Sequence, residues 1–177
     1  MDFAQPQNNV SELHLTSGQK VADFGCGVGA YSLALAEAVG SEGRVYAVDV
    51  QKDILDKLKA ESRESGLTNI EVIRGNLDKP NGSGLAEASV TAVVLANVLF
   101  QSESKYILMR EAFRVLAPGG KILIIDWQDS FGGLGPVSQQ VVNKIKAEEI
   151  MTEAGFELDR DFMAGAHHYG LLGTKPE

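Results

Sequence analysis

Short apolar runs alternate with longer amphipathic segments along most of this chain. The runs are nearly continuous in apolar residues and rich in valine and isoleucine, which is typical of strands buried on both faces of a parallel sheet. They predict strands at Lys20–Phe24, Arg44–Val48, Ile70–Ile73, Val90–Ala96 and Lys121–Ile125. Because helical patterns lie between them, the order predicts a parallel sheet with right-handed crossover connections.

The segments between the strands have the spacing of helices that bury one face. They predict helices over Gly29–Val39, Gln51–Ser65 and Ser102–Leu116. Gly66 is expected to end the second helix, because a glycine after the last turn adopts the left-handed conformation readily. The Pro118-Gly119-Gly120 stretch is expected to end the third helix and to connect it to the next strand.

The last third of the chain has a different pattern. A glycine-rich loop over Gln128–Pro136 precedes a predicted helix over Ser138–Ala154. Two further strands are predicted at Phe156–Met163 and His167–Gly173, separated by only three small residues. A connection that short joins antiparallel neighbours, so the parallel sheet is expected to gain one reversed strand.

The length of 177 residues predicts a single domain over 1–177, in which residues 1–18 form a short N-terminal extension. The apolar fraction of 44% and the charged fraction of 23% are typical of a globular protein. No apolar run approaches the roughly 20 residues that cross a bilayer. The first residues do not have the pattern of a signal peptide, so a cytoplasmic location is expected.

The net charge of −8 disfavours a nucleic-acid partner without excluding one, because a local basic patch can persist in an acidic chain. The chain has one cysteine, Cys26, which excludes an intramolecular disulfide and argues against a cysteine-ligated zinc site. No metal site is therefore predicted. Composition leaves the oligomeric state open between a monomer and a homodimer.

The strongest local signal is a strand that runs into a glycine turn and then into a helix, at Val21–Gly29. Glycines allow the backbone to approach a ligand closely, and the start of a helix favours electron-rich groups. Asp49 ends the next predicted strand, where a carboxylate can accept hydrogen bonds from both hydroxyls of a ribose. The pattern predicts an adenosine-containing cofactor at the carboxyl ends of the strands.

Two cofactors fit this pattern. Gly25-x-Gly27-x-x-Ala30 satisfies the dinucleotide fingerprint, so an NAD-dependent oxidoreductase is one alternative. Against it, the sequence lacks the Tyr-x-x-x-Lys pair of short-chain dehydrogenases. Asp23 precedes the first glycine of the turn and would repel a pyrophosphate. An acid at that position suits a ligand with a cationic amino group instead.

Three segments resemble the class I S-adenosylmethionine-dependent methyltransferases, in particular the group called methyltransferase domain 11. They are Asp23-Phe24-Gly25-Cys26-Gly27-Val28-Gly29, Val45-Tyr46-Ala47-Val48-Asp49 and Arg114-Val115-Leu116-Ala117-Pro118-Gly119-Gly120-Lys121. The resemblance implies an α/β fold, a Rossmann-like three-layer sandwich around a mostly parallel seven-stranded sheet of order 3-2-1-4-5-7-6 with strand 7 antiparallel. It also implies S-adenosylmethionine as the cofactor, S-adenosylhomocysteine as the product and an acceptor that the sequence does not identify.

The resemblance assigns the methionine part of the cofactor to Asp23 and the glycine loop, the ribose to Asp49 and the adenine ring to Val50. Asn76 stands where the family usually has an acid that contacts the adenine amino group, and Asp78 is the alternative contact. The full set of predicted cofactor residues is Asp23, Gly25, Cys26, Gly27, Gly29, Tyr31, Asp49, Val50, Asn76, Leu77 and Asn97.

Methyl transfer from a sulfonium is an in-line displacement that needs a base only if the acceptor must lose a proton. The weak candidates for a catalytic role are Asn97 after the fourth strand, Asp126 at the end of the fifth and His168 on the last, with His167 beside it. Asp126 has a turn cap as its alternative role, and the histidines have packing or solvent exposure. A non-catalytic cofactor-binding protein of the same fold is a third interpretation.

Overall fold

The computed structural model describes residues 4–177; residues 1–3 of the predicted N-terminal extension lie outside the described residues. Seven strands form a single sheet. In chain order they are β1 Lys20–Phe24, β2 Arg44–Asp49, β3 Ile70–Arg74, β4 Val90–Ala96, β5 Leu116–Trp127, β6 Glu157–Gly165 and β7 His168–Thr174. Their order across the sheet is β3-β2-β1-β4-β5-β7-β6. Strand β7 is antiparallel to both neighbours and the other pairs are parallel, which confirms the predicted topology.

Helices cover both faces of the sheet. They are α1 Pro6–Ser11, α2 Ala30–Val39, α3 Lys52–Glu64, α4 Lys105–Val115 and α5 Lys144–Glu153. The side chains of β5 alternate between the faces, so that its even-numbered residues contribute to the core with α4 and α5. Its odd-numbered residues contribute to the core with α1 and α2. The three-layer arrangement predicted from the sequence is therefore present.

The N-terminal extension contains a helix that the sequence pattern did not predict. Helix α1 begins with Pro6, a residue suited to the first turn because it has no N–H to leave unpaired. Asn9 is buried, and its amide nitrogen donates both to the Tyr31 hydroxyl (2.9 Å) and to the Ala164 carbonyl oxygen (3.2 Å). One side chain thereby joins α1 to α2 and to the end of β6.

The predicted start of the last helix at Ser138 is wrong, because α5 begins at Lys144. The side chain of Asn143 accepts a hydrogen bond from the Lys146 N–H (2.9 Å), which caps the helix at that point. The preceding residues instead form a turn in which the Gln140 N–H donates to the Val137 carbonyl (2.8 Å). The cap thus determines where the helix starts.

Helix α4 also differs from its predicted bounds. It begins at Lys105 rather than at Ser102, because Asp78 binds the Ser102 hydroxyl and the Ser104 N–H before the first turn. At its other end, β5 begins at Leu116, so Pro118-Gly119-Gly120 lies inside the strand rather than in a separate loop. The pairing of β4 with β5 has an irregular register over this stretch.

Among residues 4–177, no helix combines the length and the apolarity required to cross a bilayer.

Asn69 provides a test of how the helices are fixed to the sheet. It is buried just before β3, and its amide nitrogen donates to the Ala36 (2.9 Å) and Gly40 (2.8 Å) carbonyls at the end of α2. We expect Asn69→Ala to lower the free energy of unfolding by about 1–3 kcal/mol, because the buried Ala36 carbonyl and the half-buried Gly40 carbonyl lose their donor. Asn69→Asp should lower it further, since a carboxylate donates no hydrogen bond and would face the negative end of α2.

Urea unfolding of both variants measures this effect, with the exposed Asn8→Ala and Asn8→Asp as matched controls that should change stability little. Equal stability of the Asn69 variants and the wild type would contradict the role of Asn69 as a cap.

Candidate active site

A cavity of about 400 Å³ opens at the carboxyl ends of β1, β2 and β3. Its volume lies in the range of small-molecule sites, and its position is where α/β sheets of this type bind ligands. The loops that follow the strands supply most of its wall. The lining residues are Gly25, Gly27, Val28, Asp49, Val50, Gln51, Ile54, Gly75, Asn76, Leu77, Asp78, Val98, Gln101, Ser102 and Leu108.

In the loop between β1 and α2, Gly25 and Gly27 favour glycine for two different physical reasons. Gly25 has a φ of +74°, and a Cβ there would lie 2.6 Å from Cγ2 of Val98. Gly27 also has a positive φ, of +51°, but a Cβ there would meet no protein atom within 4 Å. Gly25 is therefore required for contact with the loop after β4, whereas Gly27 leaves open space for a ligand.

Asp49 joins the glycine loop to the end of β2. One of its carboxylate oxygens accepts a hydrogen bond from the Gly27 N–H (3.0 Å), and the other accepts from the Gln51 N–H (2.9 Å). The two bonds fix the orientation of the carboxylate in the cavity wall. Each oxygen retains a lone pair, so both can still accept from a hydroxyl of a ligand.

Asp23 lies beneath the glycine loop rather than on the cavity wall. It is fully buried, and it accepts a hydrogen bond from the Ser32 hydroxyl (2.6 Å). Burial raises the pKa of Asp23 to about 7, an effect that the Ser32 hydrogen bond reduces and the nearby Asp49 carboxylate increases. A cationic group brought to the loop would favour the ionised form of this acid.

Two polar residues lie on the far side of the cavity, after β3. The Asn76 side-chain carbonyl oxygen accepts from the Asp78 N–H (3.0 Å), which leaves the amide nitrogen of Asn76 available. Asp78 accepts from Ser102 and Ser104 at the start of α4. Although burial opposes it, these hydrogen bonds hold the pKa of Asp78 below its ordinary value. Both candidates for the adenine contact therefore line the cavity, and Asp78 is the one held as an anion.

The structure brings six of the predicted cofactor residues to the cavity wall and places five elsewhere. On the wall are Gly25, Gly27, Asp49, Val50, Asn76 and Leu77. Cys26 packs with Leu55 and Leu58 beneath the loop, where burial raises the pKa of its thiol. Tyr31 binds Asn9 through its hydroxyl. Neither side chain faces the cavity, and Gly29, Asp23 and Asn97 are likewise absent from its wall.

Asp126 forms the kind of backbone contacts expected of a turn cap, the role given above as its alternative to catalysis. Its carboxylate is buried and accepts hydrogen bonds from the Leu99 (2.9 Å) and Trp127 (2.8 Å) N–H groups. Burial raises the pKa of Asp126 to about 6, against the effect of these backbone donors. The side chain therefore fixes the loop after β4 to the end of β5.

His168 is buried and Asn97 is half-buried, and both lie at the same end of the sheet. Both ring nitrogens of His168 and the side-chain oxygen of Asn97 lack a hydrogen-bond partner. The imidazole packs against the Trp127 indole, with ring centroids 4.3 Å apart. His167 instead contacts Asp129 through Nδ1 (2.9 Å) and stacks on Phe131.

Sequence reasoning missed part of the cavity wall. The additional residues are Gln51, Ile54, Gly75, Val98, Gln101, Ser102 and Leu108, together with Asp78, which was only an alternative, and Val28, which was predicted only as part of the glycine loop. Several of them directly follow a strand or a predicted site residue, so adjacency to a strand end was the available signal. Leu108 lies inside α4, and only the packing of that helix brings it to the cavity. Among residues 4–177, no cluster of three or more potential ligand side chains is placed to hold a metal ion.

The fold and the cavity define a Rossmann-like α/β protein with a ligand site at the carboxyl ends of its strands. Residues 15–165 match the profile of the methyltransferase domain family. The chain belongs to that family, which confirms the resemblance to class I S-adenosylmethionine-dependent methyltransferases.

Curated relatives include two demethylmenaquinone methyltransferases. The one from Geobacillus sp. (strain WCH70) is 29% identical over 121 residues, which are 68% of this chain and 50% of that protein. The one from Lactococcus lactis subsp. lactis (strain IL1403) is 32% identical over 111 residues, 62% of this chain and 42% of that protein. The present chain thus spans about half the length of these relatives.

Among solved structures, a SAM-dependent methyltransferase from Aquifex aeolicus has a TM-score of 0.88 and 27% identity, covering 97% of this chain and 90% of that one. The [4+2]-cyclase SpnF has a TM-score of 0.81 at 17% identity, covering 97% of this chain and 80% of that one. The second likeness concerns the fold alone. Because a protein named as a cyclase shares it, the fold by itself does not decide the reaction.

The buried Asp23 predicts an unusual dependence of stability on pH. The pKa of Asp23 in the folded protein, about 7, is above its ordinary value of 3.8, so folding favours the protonated acid. Stability is therefore lost as the pH rises from 4 through 7. Asp23→Asn cannot ionise, so its free energy of unfolding should exceed that of the wild type by roughly 2–4 kcal/mol more at pH 8 than below pH 4.

Denaturant unfolding of both proteins at pH 5 and pH 8 detects the trend, because any cost of burying the amide does not change with pH. The advantage of Asp23→Asn over the wild type in free energy of unfolding should be smaller at pH 5 than at pH 8. A stability difference that is the same at both values would contradict a raised pKa for Asp23.

Proposed function

We propose that this protein is an S-adenosylmethionine-dependent methyltransferase that moves the methyl group of the sulfonium to an acceptor by in-line displacement. The observation that carries the proposal is the cavity wall formed by Gly27 and Asp49. There, an open backbone and a fixed carboxylate lie side by side at the end of adjacent strands. Family membership supports the same activity.

The residues around the cavity suit each part of this cofactor. Asp49 would accept from the ribose hydroxyls, and Val50 and Leu77 would contact the adenine ring, with Asn76 or Asp78 at its amino group. Asp23 and the glycine loop would hold the methionine part, with Asn97 close to the methyl group. When bound, the cofactor supplies a methyl group that is electrophilic because the sulfur is positively charged.

The chain contributes position and exclusion of water rather than covalent chemistry. Apolar side chains of Leu77, Val98 and Leu108 form part of the wall, and they lower the polarity around a bound cation. The Asp23 carboxylate balances the positive amino group of the methionine part once it ionises. Holding donor and acceptor in line supplies most of the acceleration that such a displacement needs.

The position of Asp23 also separates this proposal from an NAD-dependent oxidoreductase. A dinucleotide would bring its pyrophosphate to the glycine loop, directly above Asp23, whose anionic form is disfavoured first by burial and then by the Asp49 carboxylate. A second negative group there would raise the cost of both charges. The acid and the loop together therefore favour a ligand with a cationic end.

The methyl acceptor, the cellular location and the oligomeric state are proposed only as classes. The relatives named as demethylmenaquinone methyltransferases make demethylmenaquinone one acceptor to test. We propose a cytoplasmic location and a monomer or homodimer. The net charge of −8 favours a small molecule over nucleic acid as the acceptor.

Calorimetric titration with S-adenosylmethionine, S-adenosylhomocysteine and NAD tests the cofactor. We expect binding of the first two and none of NAD. In Asp49→Ala, the free energy of binding S-adenosylhomocysteine should become less favourable by roughly 1.5–3 kcal/mol, the range for hydrogen bonds to a charged group.

Asp53→Ala is the matched control, because Asp53 is an exposed acid in the first turn of α3 and should leave the affinity unchanged. Binding of NAD alone would refute the proposal, and unchanged affinity in Asp49→Ala would refute the assigned ribose contact.

A further inference from the structure

We propose that Asp78 is a positioning residue of the cofactor site, which holds the connection between β4 and α4 against the cavity and acts on the cofactor through that connection. The connection comprises residues 97–104 and is called the β4–α4 loop below. The inference rests on the proposed function. It assigns the base amino group to Asn76 and a different task to Asp78, and membership of the family provides neither assignment.

The β4–α4 loop forms one wall of the cavity. Val98, Gln101 and Ser102 are among the lining residues. Val98 also lies against the glycine loop, because a Cβ at Gly25 would be 2.6 Å from Cγ2 of Val98. The position of the β4–α4 loop therefore sets both the width of the cavity and the packing of the glycine loop.

The β4–α4 loop is a compact turn. The Gln101 and Ser102 N–H groups both donate to the Val98 carbonyl (3.0 Å each). The side-chain amide of Gln101 donates to the Asn97 carbonyl (2.7 Å). Because these bonds are internal, they keep the shape of the turn but do not fix its place on the protein. Contacts with other segments have to do that.

Two carboxylates from other segments hold the ends of the β4–α4 loop. Asp126 accepts from the Leu99 N–H (2.9 Å) at the end next to β4. At the end next to α4, Asp78 accepts from the Ser102 hydroxyl (2.5 Å) and from the next two backbone N–H groups (3.4 and 3.1 Å). Within residues 4–177, the hydrogen bonds from residues 102–104 to distant segments all go to Asp78. This end of the loop thus depends on one carboxylate.

Helix α4 has no anion of its own at its start. The side chain of its N-cap residue, Ser104, forms no capping hydrogen bond, and the first turn contains no acid and begins with Lys105. The start of a helix carries a partial positive charge that an anion stabilises. Asp78 supplies this anion from 26 residues earlier in the chain.

The same anchor sets the position of a second part of the wall. Leu108 lines the cavity from inside α4, so its place depends on where the helix starts. The carboxylate of Asp78 is engaged by donors at the start of α4, whereas the amide nitrogen of Asn76 is available on the cavity wall. Asn76 is therefore the residue that remains for the edge of the adenine ring.

The first test is the affinity of Asp78→Asn for S-adenosylhomocysteine, measured by calorimetric titration where the variant is folded. An asparagine keeps one acceptor oxygen but turns an NH₂ group towards donors, so the loop loses part of its anchor. We expect the affinity to fall roughly 2- to 30-fold, the range for residues that act on a site through its surroundings. Glu103→Gln removes one negative charge from an exposed side chain of the same loop and should keep the wild-type affinity.

Moving the carboxylate separates positioning from contact with the base. Ser104→Asp alone places a second carboxylate beside Asp78 and should also weaken binding, because like charges repel. In Asp78→Asn/Ser104→Asp, the acid stands at the N-cap of α4 and can accept from the first-turn N–H groups. The double variant should bind S-adenosylhomocysteine more tightly than either single variant. A contact between Asp78 and the base would give no such recovery.

Hydrogen exchange shows whether the effect is local. In Asp78→Asn, exchange of the Ser104 amide and of the first turn of α4 should become about tenfold faster, the effect of losing one good hydrogen bond. The Leu99 amide, held by Asp126, and the amides of α5 should exchange as in the wild type. A general loss of stability would instead speed exchange in all of these segments.

The outcomes distinguish the two proposals. If the wild type binds S-adenosylhomocysteine but Asp78→Asn binds it equally well, or the double variant does not recover, the positioning role is wrong and the proposed function stands. If the wild type does not bind S-adenosylhomocysteine, both are overturned. If Asp78→Asn does not fold, Ser104→Asp alone decides: weaker binding supports the role of Asp78, and unchanged binding overturns it.

Discussion

The geometry of the site depends on the hydrogen bond that the Gly27 N–H donates to the Asp49 carboxylate. It connects the end of β2 to the turn that follows β1, the neighbouring strand. A second bond from the same carboxylate, to Gln51, fixes the start of α3. The glycine loop thus keeps its open shape because an acid, rather than a bulky side chain, supports it. The cavity wall on this side depends on one residue with two backbone partners.

Much of the fold could be predicted because each strand carries its own signal. Continuous apolar runs indicated buried parallel strands, and the short turn at Ala164–Ala166 indicated the reversed strand β7. The order of the strands, in contrast, came from the resemblance, since periodicity does not say which strands pair. The predicted start of α5 was wrong because the Asn143 cap determines where the helix begins, although the apolar pattern continues before this residue. Helix α1 was missed because six residues are too few to show a periodicity.

For the site, residues that directly follow strands could be predicted, and residues brought in by packing could not. Gly27, Asp49 and Asn76 lie where parallel strands end, so their positions follow from topology. Leu108 and Ser102 reach the cavity because α4 is anchored by Asp78, a contact between distant parts of the chain. Tyr31 illustrates the reverse case. It has the expected place in the sequence, but its hydroxyl is bound by Asn9 of α1. Contacts of that kind depend on tertiary structure.

The position of α1 has a consequence for the order in which the protein folds. Along the chain, Asn9 lies 22 residues from its partner Tyr31 but 155 residues from its other partner, Ala164. During translation, α2 is therefore available to α1 long before β6 is. An isolated helix of six residues has little stability in water, so α1 depends on packing against α2 for its order. The hydrogen bond from Asn9 to Ala164 can form only later, when β6 joins the sheet.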